Sequence, residues 1–124
     1  MAGQITITPI PDKVTITAAE TVLGTSRRAL ELREGRYPPV IYVPREDLDM
    51  GLLQRTTRST TCPWKGAASY YSIRGGERLL DNAVWSYEDP RPEVAQIAGH
   101  LAFYADKVTV TRGQRSRGCV RPWP

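Results

Sequence analysis

Cysteine and histidine are scarce in this 124-residue chain, which has two cysteines, Cys62 and Cys119, and one histidine, His100. Two thiols are too few for the disulfide framework of a small secreted domain, and without a Cys-x-x-Cys pair or a second histidine a structural zinc site lacks ligands. No metal and no cofactor is expected. Apolar runs never approach the ~18 residues of a membrane span, and no basic segment followed by an apolar stretch opens the chain. The expectation is therefore a cytoplasmic protein without membrane contact. Neither Gly-x-x-x-x-Gly-Lys-Ser/Thr nor Gly-x-Gly-x-x-Gly occurs, so the common glycine-rich phosphate loops are excluded.

What is present suits one domain. Hydrophobic residues make up 40% and charged residues 24%, ordinary globular usage that excludes a wholly disordered or collagenous chain. The net charge of +4 is localised. Residues 1–111 hold thirteen Lys or Arg against thirteen Asp or Glu, and the excess is Arg112, Arg115, Arg117 and Arg121. A domain over 1–111 with a basic tail over 112–124 follows. Such a tail offers nucleic acid no more than weak, salt-sensitive contact.

Three segments, Ile5–Thr8, Val14–Thr17 and Val108–Thr111, alternate aliphatic residues with threonine. That period of two marks strands with one face on a core. Pro9, Pro11 and Asp12 between the first two predict a tight hairpin. Further short strands are expected at Thr21–Ser26, Ala29–Leu32, Val40–Val43, Ala67–Ile73 and Ala83–Tyr87, with a hairpin turn at Gly75-Gly76. One helix is predicted. From Pro92, the residues Val94, Ile97, Ala98 and Leu101 recur at the spacing of an amphipathic face. A shorter helical turn is expected from Pro44 through Leu53. The fold class is thus mainly β (α+β): antiparallel strands with one amphipathic helix near the C-terminus.

Three groups of residues could carry chemistry. In Thr60-Thr-Cys-Pro-Trp-Lys-Gly66, a β-turn with Pro63 second would bring Cys62 and Lys65 together, with Cα atoms within ~7 Å. A nearby ammonium favours thiolate, which makes Cys62 and Lys65 catalytic candidates; the alternative is a small buried thiol beside a solvated lysine. Glu46, Asp47 and Asp49 could hold a divalent cation for nucleotide chemistry, or could simply cap a helix start. His100 is the sole conventional base, with no carboxylate partner identifiable.

The third group is aromatic. Tyr70 and Tyr71, adjacent in a strand, must face opposite sides, whereas Trp85 and Tyr87 share one. One set of rings can fill a core while another lines a cleft, and with Lys65 nearby such a cleft would suit a small planar or anionic ligand.

Several separated motifs also carry a resemblance: Tyr37-Pro-Pro-Val40, Tyr42-Val-Pro-Arg-Glu-Asp47, Thr61-Cys-Pro-Trp-Lys-Gly66 with Ala68-Ser-Tyr70, Asn82-Ala-Val-Trp-Ser-Tyr87 with Pro90, and Ile97-Ala-Gly-His-Leu-Ala-Phe-Tyr104. In order and spacing they resemble the domain-of-unknown-function 427 family, from about Val14 to Val110. The resemblance implies a small antiparallel β-tent-like domain, two sheets meeting at one end with a ligand cleft between them. Methionine-R-sulfoxide reductases and the thalidomide-binding domain of cereblon look like distant relatives in that architecture. The zinc knuckles of many such proteins are missing here, and the reductase cysteine arrangement does not map. A nucleotidyltransferase-like label attached to the family has no Gly-Ser loop and Asp-x-Asp strand to support it in this chain.

The leading expectation is a module that binds a small molecule or a modified side chain, with Tyr42, Arg45, Cys62, Lys65, Tyr70, Trp85 and Tyr87 around the cleft. The alternative is a small enzyme using Cys62 as nucleophile or Glu46, Asp47 and Asp49 as a metal site. Threonine-rich edge strands leave a homo-oligomer open.

Overall fold

The computed structural model describes residues 4–75 and 78–112, and more than half of this is antiparallel β-structure. The strands are β1 (Ile5–Pro9), β2 (Val14–Ala18), β3 (Thr21–Ser26), β4 (Leu30–Glu34) and β5 (Val40–Pro44), followed by β6 (Leu53–Cys62), β7 (Gly66–Gly75), β8 (Arg78–Ser86), β9 (His100–Phe103) and β10 (Thr109–Arg112). Seven of them form one sheet in the order β1-β4-β5-β9-β8-β7-β6, and β10-β2-β3 form a second. None of the described helices is long and apolar enough to cross a membrane.

The middle strands of the large sheet are buried on both faces, and strand alternation largely decides which residue serves which core. Val43, Tyr71, Ile73, Val84, Leu101 and Phe103 join Val14, Ile16 and Leu23 in the core between the sheets. Their neighbours Tyr42, Tyr70, Ala102 and Tyr87 point the other way into a second core. Tyr70 and Tyr71 thus separate as the alternation requires, and Trp85 packs on the same side as Tyr87.

The hairpin expected between the first two strands does not form. β1 pairs with β4, while β2 pairs with β10 and β3. The physical reason is that their isoleucines belong to different cores: Ile5 and Ile7 pack on the second cluster, Val14 and Ile16 in the first. The segment between them crosses from one sheet to the other, pinned by fully buried Ile10, whose N–H donates to the Ala29 carbonyl at 2.8 Å. β7 and β8 pair antiparallel with Gly75 opposite Arg78, and Gly76 of the expected Gly75-Gly76 turn lies outside the described residues.

The amphipathic helix is also absent from the described residues. Pro92–Ile97 is a 3-10 segment broken at Val94, and β9 begins at His100. Its apolar spacing was real but did not describe one face: Val94 and Ile97 enter the second core, whereas Leu101 enters the first. A strand buried on both sides presents an unbroken apolar run that periodicity cannot separate from a helix. Gly99, at φ +72°, supplies the left-handed residue that redirects the chain. The Pro44–Leu53 segment forms two 3-10 turns, Arg45–Asp47 and Met50–Leu52. β6 escaped prediction because Leu53–Cys62 is polar and largely exposed at a sheet edge, where threonine favours extended backbone without an apolar stripe.

Arg112, assigned above to the tail, is the last residue of β10 and its side chain meets Glu31 at 3.0 Å and Asp12 at 3.9 Å. Arg115, Arg117, Cys119 and Arg121 lie outside the described residues.

Gly24 of β3 forms an isolated bridge to Leu48, in the segment that follows β5. A Cβ at this position would stand 2.1 Å from the Asp47 carbonyl oxygen and 2.9 Å from Leu48 Cα, both backbone atoms. Gly24→Ala is therefore expected to cost about 2–3 kcal/mol, the upper range for overpacking. Gly51→Ala, which would meet only the Asp49 side chain at 3.2 Å, serves as the milder control in urea denaturation.

Candidate functional site

On the second-core side of the large sheet lies a hollow of about 770 Å3. Its floor follows from register. Tyr70 lies opposite Trp85, and Trp85 opposite Ala102. Val43 opposite Leu101 brings Tyr42 level with Ala102 in turn. Because Ala102 is small, the rings of Tyr42 and Trp85 meet above it. They stand edge to face at 6.4 Å, and the indole N–H donates to the Tyr42 hydroxyl at 3.2 Å. Tyr104 stacks at a tilt on the other side of Trp85, centroids 4.6 Å apart. Tyr37, Tyr70, Tyr87 and Phe103, the last also part of the first core, complete the aromatic lining.

One end of the hollow is closed by an ion pair. Lys65 Nζ lies 2.5 Å from Glu34 Oε1, with side-chain exposures of 12% and 15%. Glu34 ends β4, and Lys65 sits in the turn between β6 and β7, four steps away in the strand order. In a flat sheet four steps would span about 19 Å, beyond the combined reach of the two side chains. The sheet must curl around the hollow to allow the contact. Lys65 is positioned by the predicted turn: its N–H donates to the Cys62 carbonyl at 3.2 Å, and Gly66 leaves at φ +113°. The Lys65 carbonyl in turn accepts from Arg91 N–H at 2.9 Å.

Of the seven residues expected around a cleft, Tyr42, Lys65, Tyr70, Trp85 and Tyr87 line this hollow. Cys62 does not; it is half-buried against the second core, and the ammonium of Lys65 is engaged by Glu34. Arg45 does not either. Its Nε donates to the Gly99 carbonyl at 2.9 Å and its guanidinium pairs with Glu88 at 3.2 Å. Glu88 also accepts from the Tyr71 hydroxyl at 2.6 Å and pairs with Arg55 at 3.1 Å. The Tyr71 hydrogen bond, with both guanidiniums, holds the Glu88 carboxyl below its usual range.

Two of the three acidic candidates are likewise committed to local structure, and Glu46 lies in the 3-10 turn Arg45–Asp47. Asp47 accepts from Ser26 Oγ at 2.6 Å and Arg28 at 2.9 Å, and Asp49 accepts from Gly51 N–H at 3.0 Å. Among the described residues no group of three or more His, Cys, Asp or Glu is placed to hold a metal ion. His100 lies in β9 with Nδ1 3.1 Å from the Ala98 carbonyl.

Glu34 was missed by sequence reasoning, as was the role of Tyr37 and Tyr104. The alternation Leu30, Leu32, Glu34 puts Glu34 on the face of buried Leu32, a signal that a carboxylate is turned inward. Its partner, 31 positions away, could not be read from spacing.

The chain matches the family described as Domain of unknown function (DUF427) over residues 6–114. It belongs to that family. The DUF427 match includes every residue that lines the hollow. A search of curated proteins finds no match.

The phenols of the hollow do not share one acidity. Burial pushes Tyr42 up to about 12, and burial also raises Tyr104 to about 12 and lifts Tyr87 further. Burial would raise Tyr70 too, but hydrogen bonds with Thr60 and Tyr104, and Arg58 over its ring at 4.9 Å, outweigh it and hold it below the ordinary value. A phenol whose folded-state pKa exceeds its unfolded one stabilises the fold below the unfolded value near 10, and that contribution is lost as pH rises through the folded value. Tyr42→Phe should lose about 1 kcal/mol at pH 8, where the indole N–H lacks its acceptor. The deficit should shrink or reverse between pH 10 and 12, as urea denaturation at paired pH values would show.

Proposed function

We propose that this DUF427 protein is a binding module whose aromatic hollow receives a small planar molecule or a modified side chain. The observation that carries the reading is the convergence of seven aromatic residues and one engaged ion pair on a single hollow of about 770 Å3. This size falls within the range of ligand sites, which are mostly apolar walls with a few placed polar groups. A purely structural domain would be expected to fill such a space, since interiors pack densely and voids cost stability. The curled large sheet beside a second, smaller one also favours a β-tent-like reading of the architecture.

An enzyme built on Cys62 gains no such support, because the thiol lies outside the hollow's lining and the neighbouring ammonium has another partner. Binding is therefore the better-supported class.

The test is a screen of planar ring compounds against the full chain by amide and indole NMR. Bound compounds should move the Trp85 indole N–H resonance, which is tied to Tyr42, and leave that of Trp64, an exposed turn residue, in place. Trp85→Ala should weaken such binding by about tenfold or more, in line with removal of a central aromatic anchor. A broad screen with no compound acting at Trp85, or compounds bound equally well by a folded Trp85→Ala variant, would overturn the reading.

A further inference from the structure

The polar end of the hollow narrows the chemistry of its occupant. Lys65 Nζ and Glu34 Oε1 are 2.5 Å apart, so the cation and the anion lining the hollow cancel each other. Among the described residues, the second oxygen of Glu34 and the remaining N–H groups of Lys65 have no other hydrogen-bond partner. Both backbones are anchored: the Glu34 carbonyl accepts from Tyr37 N–H at 3.0 Å, and Lys65 is held by Cys62 and Arg91. The result is a fixed donor beside a fixed acceptor, both lining the aromatic hollow.

On the binding reading above, we infer that the occupant is an uncharged planar ring bearing a carboxamide-like edge, one carbonyl beside one N–H. The carbonyl accepts from the Lys65 ammonium while the N–H donates to the Glu34 carboxylate, and the ring packs against Trp85 and the tyrosines. A carboxylate would add an anion beside Glu34, and an amidinium a cation beside Lys65. Either would upset a pair that is already neutral in a site of restricted water access, where uncompensated charge is costly. A site built around paired polar groups discriminates strongly against a partner that leaves one of them unmatched.

Benzamide, benzoate and benzamidine share one shape and differ in charge and in donor–acceptor pattern, which makes them direct probes. In NMR-monitored titrations of the full chain at pH 7, benzamide should bind about tenfold more tightly than either charged analogue, a margin of the size set by one unmatched buried polar group. Glu34→Gln leaves Lys65 uncompensated and should reverse the order in favour of benzoate; Lys65→Met bares Glu34 and should favour benzamidine. The ranking in the parent chain stands without either variant, so a variant that fails to fold does not blunt the test. Benzoate or benzamidine binding the parent as tightly as benzamide would overturn the carboxamide assignment while leaving the hollow as a binding site. If no planar compound acts at Trp85, both the assignment and the binding reading fail.

Discussion

The contact between Lys65 and Glu34 constrains the shape of the large sheet. Strands hydrogen-bonded side by side are spaced by their ladders, so residues on strands four steps apart do not touch across a flat surface. For these two side chains to meet, the intervening strands β5, β9, β8 and β7 must bend around a common axis. The inside of that bend is the hollow. A charged pair this sheltered is not a strong source of net stability, because desolvation offsets most of the attraction. Its consequence is geometric: it joins β4 to the β6–β7 turn and sets one end of the space that the aromatic rings enclose.

The same sheet separates two cores by alternation interrupted by a register shift between β7 and β8. Residues of β5, β7 and β9 alternate between the two cores, whereas in β8 adjacent Ala83 and Val84, after Asn82 at φ +49°, both join the first core, and Ile41 and Phe103 of that core also reach the hollow. Small residues matter as much as large ones on the hollow side. Ala102, fully buried, sits between the positions of Tyr42 and Trp85 and lets their rings approach over it. On the opposite face, Tyr71 leaves the hollow altogether and ends on Glu88, within a cluster that also fixes Arg45 and Arg55. Charged residues that look available in the linear order are therefore committed to different tasks: Arg45 and Glu88 tie the 3-10 turn after β5 to the end of β8, and Asp47 joins Ser26 to Arg28. Lys65 alone among the expected cations reaches the hollow.

This division of roles is what favours the proposed binding reading over a reaction centre. The walls are aromatic, burial raises the pKa of Tyr42, Tyr87 and Tyr104, and the two opposite charges at the end already satisfy each other. The arrangement offers stacking and a matched pair of hydrogen-bonding groups. The thiol that seemed reactive in the linear order is packed against the second core instead.

Much was legible in the linear chain. The Ile-Thr and Val-Thr alternations identified β1, β2 and β10, the Cys62–Gly66 turn was readable from Pro63 and Gly66, and the period of two separated Tyr70 from Tyr71 and put Trp85 with Tyr87. These are local consequences of backbone geometry, which few competing interactions can override. Pairing partners were not legible, because β1 and β2 look alike until it is known which core each isoleucine enters. Nor was β9, where burial on both faces erased the alternation and left a spacing that also fits a helix. The meeting of Lys65 with Glu34, and the exclusion of Arg45 and Cys62 from the hollow, depended on the curl of a seven-stranded sheet. Curvature is a property of all the strands together, so no single segment encodes it; only the tertiary structure could decide it.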